Sequence, residues 1–175
     1  MFLLRALGLA VAVVATPAYA GHTLTTQQEG ILAGWLARNP RYRAASDADC
    51  DCAEDIQRMR AGSDGPWAGV PDYHPYRATG DFNDDGAVDF AVVLVHRDRA
   101  LAHKNYALIV FNGPFTKSTS SPAFLEAGLD MKRAGLFYGP PRPKPFRLVI
   151  GRFESHGALL TPHGRTYKVT WGNGD

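Results

Sequence analysis

The sequence predicts an α+β fold, with N-terminal helices packed on one face of an antiparallel sheet of about five or six strands. Three observations predict this class. Apolar residues recur at helical spacing before residue 62, apolar runs typical of strands follow residue 77, and the segment between them is rich in Gly and Pro. The chain has no internal repeat and no low-complexity tract. We therefore expect a single globular domain.

The first 20 residues have the pattern of a secretory signal peptide. Arg5 is their only charge, an apolar run follows, and an Ala-Tyr-Ala triplet ends at Ala20. The apolar run is shorter than the roughly 20 residues of a comfortable membrane span, so an uncleaved anchor is the weaker alternative. We expect removal of residues 1–20. Residues 21–175 then form a single globular domain, periplasmic or secreted, with no transmembrane segment.

Two helices are predicted in the N-terminal part. The first begins at a capping box of Thr26 and Glu29 and ends before Pro40, because the residue preceding a proline avoids the helical region. The apolar stripe of this helix consists of Ile31, Leu32, Trp35 and Leu36. The second helix, CAEDIQRMRAG, is shorter and is closed by Gly62.

Strands are predicted from Arg77 onward. The runs Val88–Val95 and Asn105–Asn112 are apolar on both alternating faces, which is typical of strands covered on both sides. Three later segments, GLFYG, FRLVIGRF and TYKVTW, are predicted strands, with TPHG as a hairpin turn before the last one. The segment PPRPKP, residues 140–145, is expected to be an extended connector, because proline suits neither a helix interior nor a central strand.

The stretch DFNDDGAVD has the pattern of a calcium loop. Oxygen-bearing side chains alternate along it, and Gly86 allows the sharp turn that a Cβ would hinder. The predicted calcium ligands, at the first, third, fifth, seventh and ninth places, are Asp81, Asn83, Asp85, Ala87 (through its backbone carbonyl) and Asp89. Asp84 is expected to point away from the ion. The alternative is a solvated acidic turn without a cation.

The flanks of this loop carry a family resemblance. Val92 stands where a helix-loop-helix calcium site has a Glu, and both flanks look like strands. A calcium loop between two strands, spelled GDFNxDGxxDxAV, resembles the loops of FG-GAP and VCBS-type repeats. The resemblance covers about residues 77–95 and implies calcium binding at the matching acidic and amide positions. Those families repeat the motif to build a propeller, whereas it occurs once here, so we expect the loop and its ion without the propeller.

The two cysteines, Cys50 and Cys52, are separated by one residue. In an exported protein they are expected to be oxidised, and a bridge within the chain is favoured. Free thiols, bridges between chains and a redox-active pair are the alternatives. Zinc binding is disfavoured, because no further Cys or His offers a standard spacing.

The sequence shows no catalytic motif, and we lean towards a non-enzymatic role. It lacks HExxH and GxSxG patterns and a phosphate-binding loop. The few Glu residues still leave open a pair of carboxylates that meets only in the fold; these are Glu29, Glu54, Glu126 and Glu154. Acidic residues concentrate before residue 90 and basic ones after it, but the net charge is only +2. Export and this small charge argue against a nucleic-acid partner.

We therefore expect an exported calcium-binding protein that acts as a protein-binding module of the cell envelope, for example as an inhibitor or immunity protein. The alternatives are a cell-wall-directed hydrolase whose active site is not visible in the sequence, and a purely structural envelope component. Aromatic and Arg residues are frequent in binding surfaces. The candidate surfaces are Phe137, Tyr138 and Arg142 in one segment, and the loop Asp72–Tyr76 in another.

Overall fold

The computed structural model describes residues 21–62, 69–98, 104–116, 120–140, 144–153 and 157–172. The predicted signal peptide, Arg142 and the centre of the predicted connector lie outside the described residues. The elements, in chain order, are α1 (Thr26–Arg38), β1 (Tyr42–Ala44), a 3-10 turn (Asp47–Asp49), α2 (Ala53–Ala61), β2 (Arg77–Gly80), β3 (Asp89–His96), β4 (Tyr106–Phe111), β5 (Phe124–Leu129), β6 (Ala134–Phe137), β7 (Leu148–Arg152), β8 (Gly157–His163) and β9 (Thr166–Trp171).

The strands of the described chain form two antiparallel sheets. In the larger sheet the order is β1-β3-β4-β5, and β2 pairs with β3 further along the edge that β1 occupies. The smaller sheet is the meander β6-β7-β8-β9. The prediction of an α+β fold, with helices on one face of a single sheet of five or six strands, is therefore wrong. The fold is mostly β, with two short helices.

The error has a physical origin in two weak strands. β5 reads FLEAGL and β8 reads GALLTPH, so each contains residues that disfavour strands, such as Gly, Glu, Ala or Pro. Both form because strongly apolar strands lie beside them: β5 pairs with β4, and β8 pairs with β7. When β5 and β8 are not recognised in the sequence, the remaining strands are read as one sheet. The second sheet is then not predicted.

The two central strands of the larger sheet are buried on both faces, as predicted. On one face, Val92 and Leu94 of β3 join the apolar stripe of α1 in one core cluster. On the other face, Val93 of β3 and Leu108 of β4 pack in the cluster that also contains the inward side chains of the smaller sheet. The larger sheet is thus the middle of three layers, with α1 on one side and the smaller sheet on the other.

The N-cap of the first helix lies one residue before the predicted cap, Thr26. Thr25 is the N-cap: its Oγ1 accepts from the backbone N–H of Gln28 (3.3 Å), while Oε1 of Gln28 accepts from the N–H of Thr25 (2.9 Å). The pair Thr26–Glu29 fits the same sequence pattern, but Gln28 is buried and so its amide is held at the cap. The second helix ends at Gly62 with a φ of 79°, as its sequence predicts.

The segment between β1 and α2 is held by a partly buried ion pair and by the two cysteines. Arg43 of β1 donates from Nη1 to Oδ2 of Asp49 (2.7 Å), and Ser46 donates to the same oxygen from its backbone and its hydroxyl. The sulfur atoms of Cys50 and Cys52 are in close contact, and both side chains are buried in the core between the sheets. The segment therefore packs as part of the domain.

Protonation of Asp49 is expected to weaken the fold in acid. The hydrogen bonds from Arg43 lower the pKa of Asp49 from 3.8 to about 2. A lowered folded-state pKa means that the stabilisation is complete above about pH 4 and is lost as the pH falls towards 2. Asp49→Asn should reduce the free energy of unfolding by about 1–2 kcal/mol at neutral pH. In urea unfolding its deficit relative to wild type should shrink towards about pH 2.5, whereas the exposed control Asp98→Asn should differ little at either pH. A deficit of the same size at both pH values would contradict this role.

Candidate metal-binding loop

The predicted calcium loop connects β2 to β3. Gly80, the last residue of β2, pairs directly with Asp89, the first residue of β3. The intervening residues therefore form the end of an antiparallel hairpin, and its second strand, β3, is buried along almost its whole length. The rigid strand fixes one end of the loop, while the loop itself is largely exposed.

Three of the predicted ligands turn towards one another within this loop. Asp84 and Gly86 have positive φ angles of 61° and 83°, which coil the backbone tightly. As a result, Oδ1 of Asp81 and Oδ1 of Asn83 both accept from the backbone N–H of Asp85, each at 3.1 Å. The other oxygen of Asp81 accepts from the N–H of Gly86 at 2.9 Å. The side-chain oxygens thus line the inside of the coil.

Asp85 and Ala87 complete the exposed part of the loop. Oδ1 of Asp85 accepts from the N–H of Ala87 (2.8 Å), and its Oδ2 accepts from Nδ2 of Asn83 (2.9 Å). These donors are weak partners for a carboxylate on an exposed turn, because water competes with them. The residues Asp81, Asn83 and Asp85 therefore offer converging oxygens of the kind that calcium prefers.

Asp89 lies apart from this exposed group and is fully buried. Its Oδ2 accepts from the N–H of Phe82 (2.9 Å) and lies 3.3 Å from the hydroxyl oxygen of Tyr167, and its Oδ1 accepts from the N–H of Gly113 (2.9 Å). Burial raises the pKa of Asp89 to about 6, against the lowering effect of the two backbone hydrogen bonds. Asp89 thus braces the loop against β4 and β9, a role that its spacing alone does not predict.

The described side chains include no group of three or more His, Cys, Asp or Glu residues already arranged to hold a metal ion. The predicted ligands nevertheless follow one another along the connection from β2 to the first residue of β3, and all of them offer oxygen. Asp81, Asn83 and Asp85 fit a hard cation by the chemistry and convergence of their oxygens. Asp89 and the carbonyl of Ala87 stay predicted ligands.

The loop is held from the side by the smaller sheet. Asp84 forms an ion pair with Arg147, Oδ2 to Nη1, at 2.6 Å, and so it points away from the converging oxygens. The hydroxyl of Tyr138 donates to the backbone carbonyl of Asp81 (2.6 Å), and its ring lies edge-on to Phe82, which is fully buried. The acidic loop and the basic second half of the chain therefore meet here.

An open cleft of about 520 Å³ lies beside the loop. Its lining residues come from the calcium loop, the β4–β5 connection, the end of β8 and the β8–β9 turn. They are Asn83, Asp85, Asn112, Gly113, Ser121, Ala123, Pro162, Gly164 and Arg165. The lining combines polar side chains with apolar ones such as Ala123 and Pro162, and it shares two side chains with the predicted ligand set.

The aromatic residues expected to form a binding surface lie elsewhere. Tyr73 and Tyr76 are fully buried, and Tyr76 donates to the carbonyl of Met131. Tyr138 is engaged with the loop, as described above. Trp171, by contrast, is 60% exposed on β9. Sequence reasoning also missed Asn112, whose contact with Tyr167 joins residues that are 55 positions apart.

Candidate groups for hydrolysis are dispersed. Glu29 pairs with Arg77, and Glu54 lies near Arg58 on the surface of α2. His74 contacts Asp47 through Nδ1 at 3.0 Å and is part-exposed. Burial lowers the pKa of His22, whose Nδ1 lies 2.6 Å from the carbonyl of Arg77. These contacts tie loops to strands. Glu154 lies outside the described residues.

Comparison of the chain with protein-family models, with curated proteins and with solved structures finds no match. The likeness to FG-GAP and VCBS-type loops therefore rests on residues 77–95 alone and stays a prediction. Within the described part of the chain, no helix is both long and apolar enough to cross a membrane.

Replacing Gly80 with alanine is expected to loosen the loop. A Cβ at Gly80 would lie 2.2 Å from the ring of Tyr138, and that ring is anchored by its bond to Asp81. Gly80→Ala should therefore lower the free energy of unfolding by about 1–3 kcal/mol.

Gly30→Ala is the matched control for this change. Gly30 lies in α1, and a Cβ there would meet no atom within 4 Å. This variant should be neutral or more stable by up to about 1 kcal/mol, because alanine favours a helix. Thermal and urea unfolding of both variants measures the difference; equal stability would show that Tyr138 does not constrain the loop.

Proposed function

We propose that this chain is an exported, calcium-binding, non-catalytic module that binds another protein of the cell envelope or its surroundings. The observation that carries the proposal is the convergence of oxygens from Asp81, Asn83 and Asp85 inside one tight loop. A loop with this much negative charge beside a buried strand is unfavourable without a cation. Calcium binding resolves that conflict.

The proposed ion is held by Asp81, Asn83, Asp85 and Asp89 through their side chains and by Ala87 through its carbonyl. Calcium takes about six to eight oxygens, so water or another ligand completes its shell. Calcium modules outside the cell work with a Kd of about 10⁻⁴ to 10⁻³ M. Because the loop is braced by residues of the smaller sheet, binding is expected to stabilise the whole domain and not the loop alone.

Export is supported by two features of the chain. The first 20 residues follow the signal-peptide pattern, and the sulfur atoms of Cys50 and Cys52 lie in contact in the buried segment before α2. A disulfide between these residues belongs to an oxidising compartment such as the periplasm or the extracellular space. In such a compartment, a Kd for calcium in the range of extracellular modules is sufficient.

A binding role is supported by what the domain exposes. Trp171 on β9 is largely exposed, and tryptophan is among the residues that contribute most to protein interfaces. The calcium loop opens onto a cleft of mixed polar and apolar lining, between the ends of the two packed sheets. Connections on a rigid scaffold are the usual carriers of recognition. An inhibitor or immunity protein is one form that this role takes.

Calcium titration of the mature protein, residues 21–175, tests the proposal. Calorimetry should show one calcium ion per chain, and calcium at ten times its Kd should add about 1.4 kcal/mol to the free energy of unfolding. Asp85→Ala should lose both effects, because it removes a side chain that faces the inside of the coil.

Asp84→Asn is the control for the calcium titration. It removes the same charge from the same loop, but the Asp84 side chain points to Arg147. Asparagine also tolerates the positive φ at this position. This variant should still bind one calcium ion, although with lower stability. If wild type neither binds calcium nor gains stability from it, the loop is a solvated acidic turn and the proposal fails.

A further inference from the structure

We propose that the cleft beside the calcium loop binds a side-chain carboxylate, Asp or Glu, of the protein partner. This inference rests on the proposed function and names the chemistry that the module recognises. The carboxylate would approach the ion side of the cleft, formed by Asn83 and Asp85, and pair with Arg165 on the opposite side.

Part of the predicted calcium site borders the cleft. Asn83 and Asp85 line the cleft as well as the coil of the loop, so one side of the proposed ion site faces open space. The loop offers five oxygen donors, whereas calcium takes about six to eight. The unfilled positions are therefore accessible from the cleft. Carboxylates are preferred ligands of calcium, so an acidic side chain suits these positions better than a neutral one.

The wall of the cleft opposite the calcium loop carries a positive charge, that of Arg165. Arg165 is exposed and has no hydrogen-bond or ion-pair partner within the part of the chain that the structure describes. It sits in the two-residue turn Gly164–Arg165 that joins β8 to β9, between the paired residues His163 and Thr166. A guanidinium and a calcium ion facing the same cleft repel each other. An anionic group between them is attracted to both.

The lining of the cleft also has an excess of hydrogen-bond donors. Oδ1 of Asn112 accepts from the hydroxyl of Tyr167 at 2.7 Å, so its amide nitrogen is left for the cleft. The hydroxyl of Ser121 is exposed and has no partner among the described residues. With Arg165, these groups present donors to a ligand, and an ionised carboxylate accepts only. Charge-assisted bonds of this kind are the stronger ones.

The walls of the cleft are held in place before any ligand arrives. Thr166, next to Arg165, donates from Oγ1 to the carbonyl of Ala123 at 2.8 Å, which ties the β8–β9 turn to the start of β5. The N–H of Gly113 is bound to Asp89, which ties the β4–β5 connection to the calcium loop. Preorganised walls reduce the entropy lost on binding.

A pair of short peptides tests this inference on the mature protein. The probe is acetyl-Gly-Glu-Gly-amide, and the matched neutral probe is acetyl-Gly-Gln-Gly-amide. In saturating calcium, the Glu peptide should cause saturable shifts of the backbone amide signals of Gly113 and Gly164, measured by nuclear magnetic resonance. The Gln peptide should cause none. Chelation of calcium should abolish the shifts caused by the Glu peptide. Without the ion, the carboxylate of Asp85 in the cleft repels the peptide carboxylate.

Two arginine variants decide whether the cleft is responsible. Arg165→Gln should weaken binding of the Glu peptide about fivefold, as expected for one exposed ion pair. Arg38→Gln, at the exposed end of α1, removes the same charge from another surface and should leave the Kd of the peptide unchanged. Equal weakening by both variants, or none by Arg165→Gln, would overturn the proposed pairing.

Calcium binding is measured on the same samples by calorimetry, which separates two kinds of failure. If wild type binds one calcium ion but the Glu peptide causes no saturable shift, or acts like the Gln peptide, the carboxylate inference is wrong while the calcium proposal stands. If wild type binds no calcium, the proposed function fails and the inference falls with it.

Discussion

The buried carboxylate of Asp89 is the contact on which the loop and its surroundings depend. It accepts hydrogen bonds from the N–H groups of Phe82 and Gly113 and contacts the hydroxyl of Tyr167, so it joins the calcium loop, the β4–β5 connection and the smaller sheet. A buried carboxylate is costly unless such donors surround it, and a donor left without its acceptor is costly as well. The calcium loop, the β4–β5 connection and β9 are therefore held in fixed positions relative to one another. The cleft lies between these fixed parts.

The loop combines a fixed base with an exposed rim. Its base is β3, which is buried on both faces, and its side is held by Tyr138 and by the ion pair of Asp84 with Arg147. The acidic first half and the basic second half of the chain thus meet in a local contact. The oxygens of Asp81, Asn83 and Asp85 turn inward on the exposed rim, where a cation can reach them without disturbing the core.

Sequence reasoning succeeded where the signal is local. The two-sided burial of β3 and β4 followed from their apolar runs, and the end of α2 at Gly62 from a single glycine. It failed for β5 and β8, because weak strands form through their neighbours and not through their own propensity. The sequence pattern assigned Asp89 only to the calcium ion. Spacing along a loop does not reveal its contacts with Tyr167 and Gly113, which lie far from it in the sequence. Arg165 and Asn112 were missed for the same reason: only the three-dimensional fold brings them to the cleft.

The contact between Asp89 and Tyr167 spans 78 positions of the chain. A ribosome adds about 5–20 residues per second, so Asp89 is made several seconds before its hydroxyl partner. Until β9 is in place, the carboxylate of Asp89 lacks its contact with the hydroxyl of Tyr167. The loop therefore reaches its final geometry late in the life of the new chain. A truncation before β9 would leave the sequence motif intact and the loop incomplete.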